Sequence, residues 1–139
     1  MRYIDWFLNH AKKHQHIMKK LEHLSDDEII DYFDFKNMVI YEVEFCLLYS
    51  KNRKCHEIES LNCYFCGCLN FRFNENSTFF KNGKKIVSYC SINSPDGEIF
   101  ETDTVIHQNC TNCDIPHKKE FVKEYFNRNW LECMKFVTV

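Results

Sequence analysis

The alternation of apolar and polar positions divides this chain into a helical start, a stranded middle and a helical end. From Tyr3 to about Leu24, the residues Ile4, Phe7, Leu8, Ala11, Met18 and Leu21 recur at three- and four-residue steps, the spacing of one helical face. Lys12, Lys13, Lys19 and Lys20 occupy the other faces, and His10, His14, His16 and His23 read as solvated residues among them. No acidic residue or cysteine in that segment completes a metal set with His10 and His14. A second helix starts at Ser25-Asp26-Asp27-Glu28, a capping box in which hydroxyl and carboxylate each take an orphan N–H. Ile29, Ile30 and Phe33 give this helix its apolar side, and the pattern ends it between Phe35 and Asn37. Met38 to Ser50 is apolar without a clear period.

After Cys68 the period becomes two. Asn70–Phe73 and Thr78–Phe80 read as strands, and Asn82-Gly83 before Ile86–Tyr89 is a hairpin signal, because its two turn residues tolerate positive φ. The returning strand runs to Cys90, Pro95-Asp96-Gly97 is a further turn, and Glu98–Glu101 and Thr104–His107 are two more short strands. From Lys118 to about Phe136, Val122, Tyr125, Phe126, Trp130, Cys133 and Met134 fall at helical steps and predict one terminal helix. The fold expected is therefore α+β: a small antiparallel hairpin sheet tied by zinc knuckles, with helices at both ends. Residues 1–44 form an N-terminal helical extension, and residues 45–139 a cysteine-rich domain with its C-terminal helix.

Nine cysteines in 139 residues change that picture, since such a load implies disulfides or bound metal. The first residues carry no apolar signal-peptide core and no run suits a membrane span, so a cytoplasmic, reducing location is expected, where clustered cysteines serve as ligands. The odd count also defeats a scheme of disulfides alone within one chain. A formal charge of −2 provides no global basic field, and the lysines around the hairpin read as solubilising residues, so nothing points strongly to nucleic acid.

Cys63-Tyr64-Phe65-Cys66-Gly67-Cys68 and Cys110-Thr111-Asn112-Cys113 contain two Cys-x-x-Cys knuckles on either side of the stranded region. Setting Cys133 aside as a small hydrophobe on the helical stripe leaves eight of the nine cysteines: Cys46, Cys55, Cys63, Cys66, Cys68, Cys90, Cys110 and Cys113. His56 and His117 are further ligand candidates, although adjacent Cys55 and His56 are expected to supply one ligand between them. This inventory suits two tetrahedral ions better than one. Spacing alone pairs Cys63 and Cys66 with Cys110 and Cys113, and leaves Cys68 and Cys90, with Cys46 or Cys55 and His117, for a second site. Thiolate-rich sets select zinc or an iron–sulfur cluster, and the histidines favour zinc.

Asn62-Cys63-Tyr64-Phe65-Cys66-Gly67-Cys68, followed by Cys110-Thr111-Asn112-Cys113-Asp114-Ile115-Pro116-His117, resembles the bacterial and archaeal cysteine-rich small domain, a family described as metal-binding and zinc-finger-like. Its upstream Cys-His dipeptide and mid-domain cysteine fall on Cys55-His56 and Cys90, and the likeness runs from about Phe45 to Phe121. The chain departs from the family in the longer gap between Cys46 and Cys55 and in lacking a proline after Cys68. The resemblance implies metal binding and no particular reaction. No catalytic triad, phosphate loop or His-Glu-x-x-His helix is present, so an interaction module that binds another protein is the first reading. A metal-dependent enzyme or metal-handling protein with one open site is the alternative.

Overall fold

The first helix, α1, spans Tyr3–Lys20 and buries Phe7, His10, Ala11, His14 and Ile17. Two of these overturn the expectation of a solvated histidine face, because His10 is 3% exposed and His14 is fully buried. Their positions continue the Phe7–Ala11–Leu21 stripe at helical steps, so the helix has no means of turning them outward. Leu8, expected on the apolar side, is half exposed, whereas His16 and His23 are exposed as anticipated. The structure, a computed structural model, describes residues 2–74 and 79–138.

The capping box forms as expected and opens α2, Asp26–Tyr32: the Glu28 N–H donates to Ser25 Oγ at 3.2 Å, and the Ser25 N–H to Glu28 Oε1 at 3.1 Å. The helix ends at Tyr32, earlier than the pattern suggests, because the Leu61–Asn62 segment intervenes. Asp34 bridges to Asn62, and the Phe35 N–H donates to Leu61 O at 2.8 Å. A third helix, α3, then runs from Phe35 to Tyr41, where no period was legible.

The strands form two small sheets. Phe71–Phe73 (β1) pairs antiparallel with Ser88–Cys90 (β4), which places Phe71 opposite Cys90. Phe80–Lys81 (β2), Lys84–Ile86 (β3), Glu98–Glu101 (β5) and Val105–Asn109 (β6) make a four-stranded sheet in the order β2-β3-β6-β5. Asn82 and Gly83 turn the β2–β3 hairpin at φ of 52° and 78°, both in the left-handed region as the sequence requires. Thr78, expected in the preceding strand, lies outside the described residues. The sheet is mixed rather than purely antiparallel, since β5 takes the return leg and β6 lies parallel to β3. The strand expected to run unbroken to Cys90 divides at Val87, whose N–H donates to Ile106 O at 2.9 Å while the chain passes from one sheet to the other.

The terminal helix also divides, into α4 (Lys119–Tyr125) and α5 (Trp130–Cys133). Tertiary partners account for the break: the Tyr64 hydroxyl donates to Asn127 O, Arg128 reaches Asp26 Oδ1 at 2.8 Å and Leu24 O at 2.9 Å, and the Asn129 side chain caps α5. Lys119 ties α4 to α2 through Asp31 at 2.7 Å and to the start of α3 through Asp34 at 2.9 Å. A single buried cluster runs from Phe7 to Val137 and draws on residues from both sides of position 44. Tyr64 and Phe65, between the cysteines of the first knuckle, are fully buried in it. The knuckle is thus seated on a packed aromatic core instead of depending on its ligands alone.

Candidate metal centre

Asn62 anchors the centre. Its Nδ2 donates to Ile30 O at 2.8 Å and Asp34 Oδ1 at 2.9 Å, and its Oδ1 accepts the Tyr64 N–H at 2.9 Å. The Cys63 N–H donates to Phe33 O at 2.8 Å, so the start of the knuckle is pinned to the end of α2. Beyond Cys66 the backbone turns through left-handed conformations, with φ of 102° at Gly67 and 54° at Cys68. Glycine takes the first of these at no steric cost, and the reversal aims Cys66 and Cys68 to different sides.

His117 is buried in the turn Ile115–His117, and its Nδ1 lies 2.9 Å from the Asn62 carbonyl. A carbonyl can only accept, so Nδ1 carries the proton and Nε2 is left with its lone pair. That Nε2 lies 3.5 Å from Cys55 Sγ. Burial, followed by the repulsion of His56, pushes the His117 pKa down and favours the neutral imidazole that binds metal, against the opposing pull of Asn62 and Asp114. One ligand atom from each of Cys55, His56 and His117 lies within 4.8 Å of the others. Among the described residues this is the one group of three or more Cys, His, Asp or Glu side chains drawn so close. Both members of the Cys55-His56 dipeptide therefore reach the same spot, where one was expected. His56 Nδ1 also lies 3.1 Å from Asp114 Oδ1.

The eight candidate cysteines line two separate spaces. Cys46, Cys55, Cys63 and Cys66, with His117, surround one of about 30 Å³, walled by Phe35, Phe45 and Tyr49. Cys68, Cys90, Cys110 and Cys113 line a cavity of about 290 Å³, with His56 and His117 on its wall. The electrostatics divide in the same way. Burial raises the Cys66 thiol pKa, helped by Cys55, Cys63 and Cys46; it pushes Cys68 up to about 11, helped by Cys110, Cys113 and Cys90. The two knuckles expected to share one ion thus face different spaces, and beyond the turn at Gly67-Cys68 the Cys68 sulfur joins the space of the second.

No family model, curated protein or solved structure matches this chain. The chemistry has to be read from the side chains. Burial holds Cys63 up to about 12 and Cys55 up to about 11, so without a cation these thiols keep their protons near neutrality. A bound cation inverts this, replacing the proton and stabilising the thiolate. The donor set of soft sulfurs with imidazole nitrogen fits zinc or another thiophilic ion, and not magnesium or calcium. Sequence reasoning passed over three supporting residues. Asn62 orients His117, Asp114 faces His56, and the Tyr49 hydroxyl lies beside the Cys63 thiol without closing a hydrogen bond. Asn62 and Asp114 adjoin the two cysteine boxes, which was the available signal; Tyr49 carried none. Cys133 packs at the edge of the core, its sulfur 3.7 Å from Asn127 O, away from both sets. Among the described residues no helix is long and apolar enough to cross a membrane.

Proposed function

We propose that this protein is a small metal-binding module with two metal sites, the first of them holding zinc, which stiffen a surface that engages another protein. The observation that carries the reading is the convergence of Cys55, His56 and His117 within 4.8 Å, with the His117 tautomer set for coordination. The first ion would draw its four ligands from Cys46, Cys55, Cys63, Cys66 and the two histidines, and the second from Cys68, Cys90, Cys110 and Cys113. The resemblance to the cysteine-rich small domain supports the same function. The exposed Ile40, Tyr41, Val43 and Leu47, at and just beyond the end of α3, give the helical side an apolar surface suited to a protein partner.

Metal content and thermal melting of Cys66→Ser and Cys68→Ser, measured side by side, test the two-site arrangement. Cys66→Ser should lose the ion of the small space and with it much of the fold, because that space adjoins the core. Cys68→Ser should lose only the other ion and still fold. Equal loss in both variants would mean one merged centre and would end the two-site reading.

A further inference from the structure

The two cysteine sets differ in the room they enclose. The set holding Cys55 surrounds about 30 Å³, the volume share of roughly one water molecule, and includes Cys55 and His117 of the compact Cys-His-His group. The Cys68 set faces about 290 Å³. The walls of that cavity are mainly apolar, with Tyr3, Trp6, Phe71, Ile92, Ile115 and Pro116 among them. A single zinc with bonds of about 2.3 Å draws its four sulfurs to about 3.8 Å from one another and fills little of such a space. No three ligand atoms of this set lie within 4.8 Å of one another among the described residues.

We infer that the Cys68, Cys90, Cys110 and Cys113 set holds a [4Fe–4S] cluster, while the set around Cys55 holds the zinc. This rests on the metal-binding reading above and assigns the identity of its second metal. In such a cluster each thiolate binds a different iron, so the sulfurs stand well apart and the inorganic core occupies the space between them. The supporting groups suit that occupant. The ring nitrogens of His117 face Cys55 and Asn62, and His56 Nδ1 faces Asp114, which leaves the four cysteines as the sulfur donors on the cavity side. Ser94 Oγ lies 3.2 Å from Cys113 Sγ, and a hydroxyl that donates to a thiolate sulfur stabilises the negative charge of the cluster it binds. Tyr3, Trp6 and Phe71 give the cavity apolar aromatic walls.

The test is the full chain produced with iron supplied and purified without oxygen, followed by measurement of zinc, iron, labile sulfide, visible absorbance and the electron paramagnetic resonance of the reduced protein. The expected content per chain is about one zinc and about four iron with matching sulfide. Cys90→Ser and Cys110→Ser should lose iron and sulfide and keep zinc, and Cys55→Ser should do the reverse. Should the serine variants not fold, the metal-free wild type is reconstituted with iron, sulfide and zinc; failure to develop the cluster's visible band overturns the inference. Two zinc ions with no labile sulfide would also overturn it while leaving the proposed function standing. Protein that holds neither metal would remove both.

Discussion

His10 and His14 are the two buried groups whose titration should govern the stability of this fold in acid. His10 stacks on Trp6 with ring centroids 4.9 Å apart, and His14 lies between Phe33 at 4.9 Å and Tyr64 at 4.6 Å. Burial is the main reason that their pKa values are pushed down, to about 4 for His10 and about 3 for His14; Lys13 adds to the first, and His10 adds to the second. Folding therefore favours the neutral rings. The unfolded chain, with histidines near 6.5, binds more protons at every pH below that value, so stability is complete above about pH 7 and falls as the pH drops toward the folded values. At pH 5 each histidine costs about 2 kcal/mol relative to neutrality, and the pair about 4 kcal/mol, because both folded values lie well below 5. A domain with ~5–15 kcal/mol in hand loses much of its margin this way. Denaturant melts at pH 7.5 and pH 5.0 measure the loss, and the same melts on a His10→Phe, His14→Phe double variant separate it from any acid titration of the cysteine sets. The variant should lose about 4 kcal/mol less between the two pH values than the wild type does. Equal losses in the two proteins would show that these histidines are not held neutral by burial, and the reasoning would fail.

Three further outcomes follow from the packing. Asn62→Ala should cost about 1–3 kcal/mol, since it strands the buried Tyr64 N–H and removes one of the two donors to Ile30 O, which keeps the Phe33 N–H; a melt within error of wild type would refute this. Gly67→Ala should cost about 1–3 kcal/mol, because φ is 102° and the added methyl meets Trp6 Cη2 at 3.3 Å; a stability gain in the same assay would contradict the turn geometry. Cys133→Ser should keep its full metal content and lose about 1 to 2 kcal/mol at most, and the disappearance of one equivalent of metal would place a ligand where the structure has none.

How far the sequence was legible depended on the range of the interactions involved. The capping box at Ser25 and Glu28, the Asn82-Gly83 turn and the stripe of α1 are settled within a few residues, and all three form as their patterns require. The burial of His10 and His14 was visible in the same stripe, at positions that residue type alone assigned to solvent. The interruptions were not visible. α2 stops at Tyr32 because Leu61 and Asn62 pair with the chain just after it, and the terminal helix opens at Asn127 because Tyr64 and Arg128 make contacts far away in sequence. The cysteines show the same division. Their number, knuckle spacing and departure from a disulfide scheme make metal binding the expectation from the sequence alone. Which sulfur faces which space depends on the backbone reversal at Gly67-Cys68, the pairing of Phe71 with Cys90 and the anchoring of His117 to Asn62. Spacing limits only how far apart ligands can lie along the chain; the direction in which each one points is set by contacts between segments, and only the tertiary structure brings those segments together.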